Sequence, residues 1–157
     1  MIFSIKYSKN LINKIRIRTL ALLQLLGILG QGVLGGITVL TDLHPLPVAG
    51  HFLLSIFLIS GAISLRYEMV GVVKEAAVGL AKPILPLLIW LTLFVLIAGT
   101  IVTGSGPHAG DEQAQRFGFD PRVVSWLHAD LVIALLVLTS MLFLITRQIG
   151  LTIINKR

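Results

Sequence analysis

The stretch VVSWLHADLVIALLVL, residues 123–138, places a histidine and an aspartate at the head of a run that is otherwise almost wholly apolar. From Leu131 to Thr146 there is no further charge, and the whole block Val123–Thr146 exceeds the roughly 20 residues that a helix needs to cross a bilayer. Three similar blocks precede it, Thr19–Thr41, Val48–Leu65 and Ile84–Thr103. Over the 157 residues 55% are hydrophobic and 13% charged, with a mean hydropathy of +0.93, which argues against an ordinary water-soluble domain. Lipid offers the backbone no hydrogen-bond partners, so each block must satisfy its own N–H and C=O groups as a helix. The expected fold is all-α: a polytopic membrane four-helix bundle, antiparallel, with membrane lipid around it.

The net charge of +6 could suggest nucleic acid, but its distribution says otherwise. Of thirteen basic residues, only Arg116 and Arg122 fall on one side of the four blocks, together with Asp42, Asp111, Glu112 and Asp120. The other eleven lie before the first block, between the second and third, or after the fourth. This is the positive-inside pattern, which assigns both termini to the cytoplasm. No nucleic-acid partner is expected, and the localisation is a plasma membrane of bacterial type, crossed several times. Residues 1–18 read as a basic interfacial lead, 19–146 as the four-helix transmembrane domain and 147–157 as a cytoplasmic tail. The first block is too long for a signal h-region and lacks an A-x-A site, so it is expected to stay as an anchor. The connection at 66–83 reads as a cytoplasmic interfacial helix. There is no cysteine, which leaves histidine as the strongest soft-to-borderline ligand.

A weak internal repeat runs through the chain. Gly35 and His44 recur 64 residues later as Gly99 and His108, with Thr41 matched by Ser105. The loop that follows is longer in the second copy, so His51 corresponds to His128, 77 residues on. Both histidines follow a proline near the outer end of a span. At about 1.5 Å rise per residue the two imidazoles come within about one helical turn of each other in depth. Two histidines at matched depth are the arrangement that bis-imidazole ligation of a haem iron requires. The competing reading is a pair of separate interfacial histidines bonded to backbone or water.

The first span carries Gln24, Gly27, Gln31, Gly35 and Thr38 on one small-or-polar stripe, and the third repeats the idea with Thr92, Gly99, Thr103 and Gly106. Small residues admit a flat macrocycle or another helix, and glutamines can bond polar substituents. Ordinary helix packing, including the Gly32–Gly36 pair, explains the same stripe. Candidate cofactor contacts are therefore His51, His128, Gln31, Gly35, Gly99 and Thr103, with both imidazoles as ligands of the haem iron. Asp130 falls nearly opposite His128 on its helix and cannot serve the same ligand. His44 and His108 read as solvated loop histidines, with contact to haem propionates as the alternative. Arg116 and Arg122 could pair with propionates, and Trp126 reads as an interfacial anchor.

The segments LGQGVLGGITVLTDLHPLPVAGHFLLS (residues 29–55), AGTIVTGSGPHAGD (residues 98–111) and WLHADL (residues 126–131) resemble haem A synthase, over most of the chain from about Leu20 to Thr146. That family oxidises a methyl group of haem O to a formyl group during cytochrome oxidase assembly. It has eight spanning helices in two similar halves, each with a histidine pair able to ligate a haem. The resemblance places this chain at the middle four helices, with His51 from the first half and His128 from the second. The helix carrying the family's Glu-x-x-His element and its paired outer cysteines have no counterpart here. The resemblance thus implies haem b, haem O or haem A as cofactor or substrate, haem O synthase as a possible supplier, and either a truncated copy or a compact variant. In the variant, the two helix pairs would exchange places so that His51 and His128 face one haem. A homo-oligomer or a separate chain would supply further helices. No catalytic residue is assigned. The alternatives are a small b-type cytochrome or haem-handling module without synthase activity, and a structural or transport subunit without cofactor.

Overall fold

The computed structural model describes residues 11–71, 79, 81–107 and 113–154 of the 157. They form α1 (Leu11–Leu40), α2 (Pro45–Val70), α3 (Ala81–Ser105) and α4 (Pro121–Ile154), with no strand among the described residues. Each helix contains a stretch long and apolar enough to cross a membrane, from Lys14–Leu40 in α1 to Pro121–Gln148 in α4. The all-helical reading and the four candidate spans therefore hold.

The helices outrun the apolar blocks because caps, not hydropathy, set their ends. Residues 11–18, expected in a surface lead, continue directly into α1. That helix stops at Leu40, in a turn where Asp42 (φ 49°) and Leu43 (φ 58°) both adopt left-handed backbone. Three backbone bonds hold the turn, Asp42 N–H to Val39 O at 3.2 Å, Leu43 N–H to Thr38 O at 3.0 Å and His44 N–H to Thr41 O at 3.0 Å. His44 then caps α2: its Nδ1 accepts the Leu46 N–H at 3.2 Å, and Pro45 fills the first helical position, where no donor is needed. At the far end Gly71 takes φ 71° and its N–H reaches Tyr67 O at 3.1 Å, a left-handed stop that favours glycine. Asp120 starts α4 in the same manner as His44 starts α2, its Oδ1 accepting the Arg122 N–H at 2.8 Å ahead of Pro121. Within 66–83, residues 66–70 complete α2 and 81–83 begin α3. The rest of the expected interfacial helix, apart from Gly71 and Gly79, lies outside the described residues.

The chain forms two compact units, Met1–Lys74 and Glu75–Arg157, built on the α1–α2 and α3–α4 pairs respectively. In the first, polar side chains of α1 reach backbone carbonyls of α2. Gln24 Nε2 donates to Leu58 O at 3.1 Å and Gln31 Nε2 to His51 O at 3.1 Å, with a further short bond from Gln31 to Ser55 Oγ. Arg16 Nε meets Glu68 Oε1 at 3.1 Å. Partners on α2 fall in number as those on α1 rise, as expected for helices joined by a tight turn. Glycine brings the backbones close enough for these bonds: the space a Cβ would need at Gly61 is filled by the Gln24 amide, and at Gly27 by Leu58. Outside the seam the large apolar side chains stay uncovered within each unit, for example Leu26, Val33, Phe57 and Leu136. Such exposure suits lipid, where an amide without a partner is costly and a leucine is not.

Bonds of this kind between membrane helices average about 0.6 kcal/mol and reach about 1.7 kcal/mol. Gln24→Leu should therefore loosen the α1–α2 pair by about that amount. Gly61→Ala should do the same by displacing the amide, whereas Gly32→Ala, which faces open space, should be neutral. Resistance to unfolding by SDS in mixed micelles would rank the three.

Candidate functional site: two histidine–glycine seats

His51 projects from α2 onto α1 at Gly35. A Cβ on Gly35 would stand 3.4 Å from the His51 Cε1 and 3.7 Å from its Nδ1. His128 projects from α4 onto α3 in the same way. A Cβ on Gly99 would stand 3.2 Å from the His128 Cε1, 3.8 Å from Nδ1 and 3.9 Å from Nε2. The two glycines and the two histidines are those paired by the sequence repeat, so the repeat is one of tertiary contact. Any side chain at Gly99 would press on the ring, whereas a Cβ at Gly35 would meet His51 at ordinary contact distance.

The chemistry of the two rings is also alike. In each, Nδ1 is buried and has no hydrogen-bond partner. Nε2 is neither bonded to protein nor among the buried, unpartnered atoms, which leaves it accessible. An imidazole with its edge seated on glycine and Nε2 open presents the nitrogen that iron or zinc takes, provided the proton sits on Nδ1.

The surroundings of the rings differ. His51 belongs to a polar cluster: its carbonyl accepts from Gln31 Nε2 at 3.1 Å and from Ser55 Oγ at 3.0 Å, while Gln31 Oε1 is buried without a partner. The amide nitrogens of Gln24 and Gln31 are thus engaged by α2. Near His128 the polar groups are few. Thr103 Oγ1 is turned onto the Gly99 carbonyl at 3.0 Å. One turn on, the Phe117 N–H bonds Gly104 O at 3.0 Å, folding the loop back over the end of α3, where Ser105 and Ala114 are buried.

The remaining candidates fall elsewhere. Asp130 is exposed and has no hydrogen bond or ion pair among the described residues. His44, read as a solvated loop histidine, also caps α2, and a His-Pro pair at the start of an apolar run was the available signal for that role. Arg122 is exposed and Arg116 half-buried, its contacts including a bond to Gln115 O at 3.4 Å. His108, Asp111 and Glu112 lie outside the described residues. Sequence reading missed the glutamine bonds to α2 carbonyls, although an amide in an apolar helix always requires such a partner. Among the described residues no three His, Cys, Asp or Glu side chains group as a metal site.

Comparison with protein families, with curated proteins and with solved structures finds no match to this chain.

If Gly99 seats His128 as described, Gly99→Val should displace the ring, shift its NMR resonances and destabilise the protein by about 1–3 kcal/mol, the usual cost of overpacking. Gly36→Val, facing open space, is the matched control and should leave the His128 signals in place.

Proposed function

We propose that this is a haem-binding, multi-pass membrane protein of the haem A synthase kind, in which His51 and His128 supply axial nitrogens to haem iron. The observation that carries the reading is the doubled seat: two glycine-backed imidazoles, each with Nδ1 turned into its helix pair and Nε2 open. The resemblance of residues 29–55, 98–111 and 126–131 to that family supports the same conclusion. The donor set fits the group, since neutral imidazoles are the ligands of low-spin haem and both rings sit in apolar spans where a porphyrin is soluble.

In this reading Gly35 and Gly99 hold the rings by leaving space for them, Gln31 and Ser55 fix the backbone of His51, and the aliphatic helices exclude water. A haem bound through these nitrogens supplies a redox-active iron whose potential the axial imidazoles tune. With haem O as substrate, the overall change converts a ring methyl to a formyl group. Water provides the oxygen, and four electrons and four protons leave for an external acceptor. The proposed setting is a bacterial plasma membrane with cytoplasmic termini, the four spans packing antiparallel in lipid. Haem O would be delivered by haem O synthase, and a second copy or a separate chain would supply further helices.

A narrower reading is a b-type cytochrome or haem-handling module without methyl oxidation. It is favoured by the position of Asp130: the one carboxylate in the apolar part of α4 is exposed, two residues from His128 and so on a nearly opposite face. Extracted pigment separates the two, haem A for the synthase and haem B alone for the cytochrome.

Reconstitution of the purified chain with haem should give a low-spin bis-histidine spectrum. His51→Ala and His128→Ala should each convert it to a high-spin or unbound spectrum. A spectrum unchanged in both variants would sink the proposal.

A further inference from the structure

At the end of the first unit away from the Asp42–Leu43 turn, the basic residues outnumber the acids. Arg16 Nε on α1 and Glu68 Oε1 on α2 are 3.1 Å apart. The acidic residues described in this unit are Glu68 and Asp42, and Asp42 lies at the opposite end. Lys14, Arg18 and Arg66 are exposed, with no ion pair or side-chain hydrogen bond among the described residues.

The ion pair fixes where these three residues stand. Partners on α2 fall in number as those on α1 rise, so Arg18, two residues on from Arg16, is level with Arg66, two residues back from Glu68. Lys14 lies one turn from Arg18, about 6 Å nearer the start of α1. Two residues turn a helix by about 200°, so Lys14 and Arg18 occupy the side of α1 opposite Arg16, and Arg66 the side of α2 opposite Glu68. The three cations thus share the flank that the ion pair leaves free.

The depth of this flank selects its counterion. Arg18 is four residues from the start of the apolar stretch Lys14–Leu40, and Arg66 four from the end of Pro45–Val70. Both guanidinium groups therefore stretch towards the boundary of the bilayer over apolar surface. About 10 Å deeper on the same faces, seven residues along each helix, stand Leu25 and Ile59, both uncovered. A free phosphate would satisfy the cations and leave that apolar surface bare. A lipid phosphodiester satisfies them with two oxygens matched to each guanidinium, and its acyl chains cover the rest.

We propose that Lys14, Arg18 and Arg66 form the headgroup site of an anionic phospholipid, with the phosphate on the two arginines and the acyl chains along Leu25 and Ile59. A zwitterionic lipid carries its own cation beside the phosphate and is the poorer match for three unpaired basic residues. The site stands apart from the haem reading and requires only that α1 and α2 lie in a bilayer.

Native mass spectrometry of the full chain in non-ionic detergent, without haem, gives the Kd of the first lipid bound. Phosphatidylglycerol should bind tighter than phosphatidylcholine by about tenfold or more. Arg18→Gln and Arg66→Gln should each weaken phosphatidylglycerol by about fivefold, the contribution of one basic residue beside a charged bilayer surface. The double variant should bind the two lipids alike, and its retained binding of phosphatidylcholine shows that it is folded. Arg147→Gln removes the same charge from α4 and should leave the affinity as it was. The proposal is overturned if the wild-type chain does not distinguish the two lipids, or if Arg147→Gln weakens phosphatidylglycerol as much as Arg18→Gln, which is diffuse attraction. Displacement of the lipid by inorganic phosphate at matched ionic strength would overturn it equally, since the site would then belong to a free anion.

Discussion

A polar side chain inside lipid has to find its partner within the protein, and the α1–α2 pair is organised around that demand. Gln24 and Gln31 have no water to turn to, so their amides reach across to the carbonyls of Leu58 and His51. That reach is short enough only because Gly27 and Gly61 let the two backbones come together. The hydrophobic effect cannot hold these helices to each other, since lipid is as apolar as a leucine side chain. Close approach and a few buried bonds are what remain, and both depend on small residues at fixed positions. The same small residues receive the imidazoles: His51 lies against Gly35 and His128 against Gly99.

This constraint connects packing to function. A residue that closes a helix pair must be satisfied by its neighbours, whereas a residue that binds a ligand must keep one atom unsatisfied. Gln24 is a closing residue, with its donor engaged at a carbonyl. His51 and His128 have Nδ1 buried without a partner and Nε2 accessible. Gln31 stands between the two, bonded on its nitrogen and vacant on its oxygen.

Much of this was legible in the sequence. The spans were, because hydropathy over some twenty residues integrates a large signal. The Gly35–His51 and Gly99–His128 contacts were also foreshadowed, since an internal repeat preserves the residues that touch. Helix ends were not legible at the same precision. They depend on single groups such as the His44 ring, the Asp120 carboxylate and the left-handed Gly71, and hydropathy does not register them. The partner of each glutamine was hidden for another reason. Their spacing along α1 marks a face, but the carbonyls they choose belong to α2, and the pairing register between two helices follows from the turn that joins them.

That turn has a consequence of its own. Asp42 tolerates left-handed backbone, but Leu43 does not, and a residue so placed costs about 1–2 kcal/mol. The cost is comparable to what two or three buried bonds between the helices return, so the link between α1 and α2 is loaded like a bent spring. The cost falls at the end of the seam nearest His51, and a glycine in place of Leu43 would relieve it and make a firmer hairpin.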